Sequence, residues 1–174
     1  FLWLEGINRS GFLNDANEDA LKSIASLSYQ TPDGDTIHLL SQKEYEQLSV
    51  KKGNLTNEER MAIQNHVVFS YELLKDIRWT KDLTDVPEIA VTHHEKLSGK
   101  GYPYGVTADA LSVRSRIIAI ADIYDALTAK DRPYKPALPK EKSFSILKEE
   151  AKYGVLDEEL VIEFMEMIDD MENS

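Results

Sequence analysis

The sequence contains no cysteine. Disulfides and thiolate metal sites are therefore excluded, and any metal must be held by His, Asp or Glu, which favours Fe, Mn, Zn or Mg over soft-ligand chemistry. Basic residues are in deficit: 20 Lys and Arg stand against 31 Asp and Glu, for a formal net charge of −11. A binder of nucleic-acid polymers needs a basic face to neutralise phosphates, so that class is set aside. A small anionic ligand is not, because basic residues gather locally as Lys96 and Lys100, Arg114 and Arg116, then Lys130, Arg132 and Lys135. Acid concentrates instead in residues 157–172. No apolar run approaches the roughly 20 residues of a membrane span, so no membrane contact is expected. The opening FLWLEGINRSGFL has neither a basic n-region nor a small-residue cleavage site, so it does not read as a signal peptide. A cytoplasmic location is the expectation.

What is present fits one domain with a single core in 174 residues. Asn14 or Asp15 can cap a short helix running to Ile24. SLSYQTPDGDTIHLL alternates apolar and polar residues around Pro32-Asp33-Gly34, the signal for a small β-hairpin. Ser41 with Glu44, and Thr56 with Glu59, have the spacing of capping boxes. Met61, Ile63, Val67, Tyr71, Leu73, Leu74 and Ile77 recur at helical spacing and predict one long amphipathic helix that also carries His66. Asp85 is positioned to cap the next helix, with Pro87 in its first turn and Ile89, Ala90 and His93 on one face. Residues 97–106, LSGKGYPYGV, read as a loop. Residues 117–127 are apolar nearly all round apart from Asp122 and Asp125, the pattern of a buried central helix that Asp131-Arg132-Pro133 ends. A helix after Pro139 stops at Gly154, and Asp157 caps a last one. The fold expected is mainly α, a helical bundle with a hairpin near the N-terminus.

The residues able to do chemistry are few. His66 lies mid-helix, His93 and His94 are adjacent, and Asp122 interrupts an apolar helix where a carboxylate is costly unless paired, protonated or bound to metal. Neighbouring histidines on a helix point about 100° apart, which suits a multinuclear cluster, or one ligand and one substrate contact. Such clusters clamp a phosphodiester and lower the pKa of a bound water. Each residue taken singly has a plain structural reading: a core histidine, or Asp122 as ion-pair partner of Arg116 or Lys130. Taken together, with no thiolate available, they favour a metal site. His38 lies apart, in the hairpin, and reads as structural or exposed. The Gly-Tyr-Pro loop hangs from the histidine-bearing helix and suits a pocket wall or docking surface. Arg132, Lys135 and Lys100 are candidates for phosphate contacts, and Asp125 for a supporting acid.

Three segments together resemble one family. HHEKLSGKGYPYG at 93–105 resembles the signature of HD-GYP domains, RIIAIADIYDALTAKDRPYKPAL at 116–138 the segment that follows it, and LTNEERMAIQNHV at 55–67 the helix that precedes it. The likeness covers about residues 48–168 in order and spacing, and is that of a bundle of the HD-domain type. It implies an all-helical core that hydrolyses cyclic di-GMP to pGpG or GMP with two or three divalent metals, commonly iron or manganese. It implies His66, His93, His94 and Asp122 as metal ligands and Arg132 and Lys135 as phosphate contacts. Gly101, Tyr102 and Pro103 match the motif that names the family, in a loop implicated in contacts with GGDEF-domain proteins. Homo-oligomerisation is left open.

The sequence departs from that family: the His-Asp doublet, the acidic or histidine ligands upstream of it and the lysine that follows it have no counterpart. No His-Asp pair occurs anywhere in it. Residues 1–48 resemble an insertion ahead of an HD-GYP core at 49–174, and the start at Phe1 suggests that the doublet lies upstream in a longer protein. The expectation is a phosphodiesterase module that is incomplete and inactive in isolation. The alternative is a catalytically degenerate module that binds cyclic di-GMP or docks on GGDEF proteins.

Overall fold

The computed structural model describes residues 4–6, 15–51, 55–130 and 136–173. The chain forms two compact units, Phe1–Ile63 and Gln64–Ser174. In the first, helix α1 (Asp15–Ala25) leads into an antiparallel hairpin of β1 (Ser28–Gln30) and β2 (Thr36–His38), paired Ser28 to His38 and Gln30 to Thr36. Gly34 takes a φ of +93° at the hairpin turn, which a side chain would strain. Both strands are exposed on every residue, His38 included. Helix α2 (Gln42–Leu48) starts with the expected capping box, Ser41 accepting from the Glu44 amide while Glu44 reaches back to the Ser41 N–H. Fully buried Leu21 anchors this unit among Leu40, Tyr45 and Leu48. Thr56 and Glu59 form the second capping box and open α3 (Asn57–Gln64).

The second unit is a helical bundle of α4 (His66–Leu74), α5 (Val86–Thr92), α6 (Val113–Thr128), α7 (Lys140–Lys152) and α8 (Glu158–Glu172). Helix α4 packs on α5, α5 on α6, and α6 on α7 and α8. The core joins Ala119 and Ile120 of α6 to Phe144, Leu147 and Ala151 of α7 and Val161 of α8. Tyr124 and Phe164 meet edge to face at 5.3 Å, a favourable aromatic geometry. The hydroxyls of Thr92 and Ser115, both buried, lie 2.9 Å apart and tie α5 to α6. Gly154, at φ +68°, ends α7 as expected, with the Val155 N–H donating to the Glu150 carbonyl, and Asp157 caps α8 by accepting from Leu160. The mainly-α reading holds.

Three sequence expectations are corrected. The long helix over 61–77 is two helices, interrupted at Asn65, whose ψ of −10° departs from the helical value near −42° and breaks the ladder. Helix α6 is not buried all round: Ser115, Ala119 and Ile120 are buried, whereas Ile117 and Ile118 are 42% and 44% exposed, because α7 and α8 cover one side of it. Asp85 makes no cap hydrogen bond. Its carboxylate accepts instead from Arg114 Nη1 at 2.8 Å, where a charge outcompetes the amide. The expected stop at 131–133 lies outside the described residues.

Arg116 holds three elements together. Its guanidinium donates to the Ala108 carbonyl at 2.7 Å, twice to the Leu111 carbonyl, and to Asp157 Oδ2 at 3.0 Å. Arg116→Met keeps the aliphatic bulk and strips all four bonds. It is expected to cost about 2–3 kcal/mol, since hydrogen bonds to a charged group contribute more than neutral ones, with Arg116→Lys recovering little for want of the fork. A urea midpoint equal to wild type would contradict this role.

Candidate metal centre

His66 is the first residue of α4. His93 and His94 do not lie on a helix, as expected from sequence, but in the turn that follows Thr92, the last residue of α5. There the two rings lie close together, centroids 4.1 Å apart and tilted 40°. The His66 ring stands 5.7 Å from that of His93 and 5.0 Å from that of His94. One nitrogen from each imidazole lies within 4.8 Å of the others. That spacing suits ligands of one ion, or of neighbouring ions about 3.5–4 Å apart.

The hydrogen bonding favours ligation. His93 Nδ1 sits 2.8 Å from the Ala90 carbonyl, so it carries the proton and leaves the Nε2 lone pair free. Asp122 Oδ2 lies 3.7 Å from His94 Nδ1. The expectation of a buried Asp122 is corrected: its side chain is 44% exposed, because it projects from α6 toward the histidines and a pocket rather than into the core. Nor does Arg116 pair with it; that guanidinium is held by Asp157. Burial, then the neighbouring His93, hold the His94 pKa down to about 4, with Asp122 opposing and His66 assisting. His94 is thus neutral at pH 7, the form that binds metal. Burial, then Asp122, also pushes the Tyr102 phenol above its ordinary range.

This depression has a sign. Below an imidazole's ordinary 6.5 the unfolded chain takes up a proton that folded His94 refuses until about pH 4. Metal-free stability is therefore expected to fall as pH drops through that window, with no further contribution from this group above or below it. Urea unfolding from pH 8 to 4 checks it: His94→Gln should flatten the profile there, and parallel profiles would contradict the assignment.

The loop after the histidines is organised by Glu95, a residue to which the sequence reading gave no role. Glu95 is 4% exposed and its carboxylate accepts from three backbone amides, Tyr104 at 2.6 Å, Gly105 at 3.0 Å and Val106 at 3.2 Å. The available signal was a lone acid ahead of a loop whose amides need partners. Gly101 packs against this turn so tightly that a Cβ would fall 2.4 Å from Glu95 Cα, so only glycine fits. The Tyr102 N–H donates to the His94 carbonyl at 3.3 Å, its ring lies 4.8 Å from the His94 ring, and the Tyr102–Pro103 peptide is cis. Tyr102 joins His93, His94 and Asp122 in lining a pocket of about 400 Å³. Lys100 and Asp125 are exposed. Arg132 and Lys135 lie outside the described residues.

Residues 43–160 match the HD domain family. The chain belongs to that family. Among its relatives, the 3'3'-cGAMP-specific phosphodiesterase 3 of Vibrio cholerae is 42% identical over 57% of this chain and 21% of its own length. The cyclic di-GMP phosphodiesterase response regulator RpfG of Xanthomonas campestris is 36% identical over 56% of this chain and 25% of its own. A cyclic di-GMP phosphodiesterase of Thermotoga maritima is 34% identical over 57% and 26%. The chain thus spans about a fifth to a quarter of the curated relatives it matches. HD domain phosphohydrolases are metal-dependent, and the donor set here fits: three clustered imidazoles, one of them kept neutral by its surroundings, with a carboxylate beside them. Among the described residues no helix is long and apolar enough to cross a membrane.

Proposed function

We propose that the protein containing this chain hydrolyses a cyclic dinucleotide, cyclic di-GMP first of all, to pGpG or GMP in bacterial signalling. The observation that carries this is the convergence of three imidazoles and the Asp122 carboxylate beside a pocket of about 400 Å³. The names of the relatives support the substrate class. His66, His93, His94 and Asp122 hold part of a centre of two or three divalent ions, iron or manganese. Such ions supply Lewis acidity to phosphoryl oxygens and lower the pKa of a coordinated water. The bond from His93 Nδ1 to Ala90 fixes which nitrogen faces the centre. Arg132, Lys135 and Lys100 neutralise the substrate phosphates. The Gly101-Tyr102-Pro103 loop forms the pocket wall and the face offered to GGDEF-domain proteins. The setting is cytoplasmic, with 1–48 an insertion ahead of a core at 49–174.

With no His-Asp pair in the sequence, these ligands make an incomplete centre, and the isolated chain turns over little. The test is product analysis after incubating cyclic di-GMP with Mn²⁺ or Fe²⁺ and either the full-length protein or this chain. pGpG or GMP is expected from the full-length protein and little from the chain. Robust hydrolysis by the chain contradicts the incomplete centre. Failure of the full-length protein on both cyclic di-GMP and 3'3'-cGAMP overturns the enzymatic reading. The missing doublet also favours a second reading, a module that binds cyclic di-GMP without cleaving it, for which metal-free binding by the full-length protein is the diagnostic result.

A further inference from the structure

We infer that the pocket beside the histidine cluster reads a guanine base of its nucleotide ligand through Glu150, so that a cyclic dinucleotide must carry at least one guanine. This rests on the proposed function for the ligand class, and adds which bases are accepted and which residue decides. Ile123, Ala126, Leu127 and Ile146 give the pocket lining an apolar part that suits the flat face of a base. Of the charged groups lining it, His94 and Asp122 belong to the metal centre and Glu95 is occupied by three amides. Lys96 and Glu150 remain, both half-buried, and neither side chain makes a hydrogen bond or ion pair among the described residues. Their backbones are linked through Val155: the N–H of Leu97, next to Lys96, donates to the Val155 carbonyl at 3.2 Å, and the Val155 N–H to the Glu150 carbonyl at 3.0 Å.

The chemistry of those two groups selects a purine. An ionised carboxylate only accepts hydrogen bonds, and an ammonium only donates them. The Watson–Crick edge of guanine offers two adjacent donors, N1–H and the exocyclic amine, next to the O6 acceptor. Glu150 takes the donors and Lys96 the acceptor. Adenine presents an N1 lone pair where Glu150 needs a proton, and an amine donor in place of the O6 that Lys96 would reach. The site therefore refuses adenine by unpaired and opposed groups as much as it attracts guanine. Cyclic di-GMP and 3'3'-cGAMP both satisfy it through one guanine, and cyclic di-AMP does not.

The test is equilibrium binding of these three dinucleotides to the chain in excess Mn²⁺, for wild type, Glu150→Gln, Glu150→Ala and Lys96→Met, with metal content and circular dichroism recorded for each. Wild type is expected to bind cyclic di-GMP and 3'3'-cGAMP on the order of 10- to 100-fold more tightly than cyclic di-AMP, the discrimination a bidentate base contact provides. Glu150→Ala and Lys96→Met should lose that preference with metal content unchanged. Glu150→Gln should go further and tighten cyclic di-AMP, because a carboxamide both donates to adenine N1 and accepts from its amine, a gain no merely structural role produces. Equal binding of all three, unaffected by Glu150→Ala, overturns the base reading and leaves the proposed function standing. Binding of none by the metal-loaded chain overturns the base reading alone; the proposed function falls only with the full-length protein's failure to hydrolyse cyclic di-GMP and 3'3'-cGAMP.

Discussion

Replacing His93 by alanine is expected to abolish the divalent-metal binding of this chain. The three imidazoles form one donor group, with a nitrogen of each within 4.8 Å of the others. His93 is the best oriented, since the bond from its Nδ1 to the Ala90 carbonyl fixes both tautomer and ring. Loss of a residue that merely supports a ligand costs about 10- to 100-fold in metal affinity, so loss of the ligand itself should exceed that. Asp122→Asn is the informative companion. If Asp122 only positions His94 from 3.7 Å, affinity falls within that range; if it ligates, the loss matches that of His93→Ala. Mn²⁺ titration followed by electron paramagnetic resonance separates these outcomes, and wild-type affinity in His93→Ala would remove the basis for a centre here.

Replacing Glu95 by glutamine is expected to loosen the whole Gly-Tyr-Pro loop. The buried carboxylate accepts from three amides. Glutamine keeps the shape but offers one accepting oxygen and an NH₂ that donates. At least the Val106 amide then faces a donor instead of an acceptor, and no nearby water-exposed group replaces it cheaply because the residue is 4% exposed. Leaving a buried donor unsatisfied costs roughly 1–3 kcal/mol, and losing charge assistance at the other two amides adds to it, so a total of about 3 kcal/mol is expected. Hydrogen exchange reads it residue by residue: the amides of Tyr104, Gly105 and Val106 should lose protection together, while those of α7 keep theirs. Unchanged protection at all three would show that the loop holds itself without Glu95. The effect should reach the metal centre, because the same loop sets Tyr102 against His94 at 4.8 Å.

The elements legible in the sequence were those with local signals. Ser41 with Glu44, Thr56 with Glu59, Gly154 and Asp157 each mark a helix end through bonds made within a few residues, and each appears in the structure as its spacing implied. Asp85 had an equally good local signal and failed, because Arg114, 29 positions away, competes for its carboxylate. Asn65 carried no signal at all, and its break in the helix depends on a backbone angle that hydrophobic periodicity does not report.

The site followed the same logic. That His66, His93 and His94 belong together was suggested by residue type and family likeness. How they meet was not: α5 ends at Thr92 and the pair sits in the turn that follows. Asp122 illustrates the limit of composition: an aspartate in an apolar run reads as buried, but the run leaves one side of α6 uncovered and the carboxylate stands at a pocket edge. Glu95 was visible as a residue and not as a role, because the amides it satisfies lie 9 to 11 positions downstream in a loop whose path only the fold defines.

The central claim is that His66, His93 and His94 hold metal. Crystals of the chain grown with MnCl₂, with diffraction recorded at the manganese edge, test it most directly. An anomalous peak about 2 Å from the imidazole nitrogens is predicted. Manganese found only along the acidic surface of α8, with none at the histidines, would contradict it.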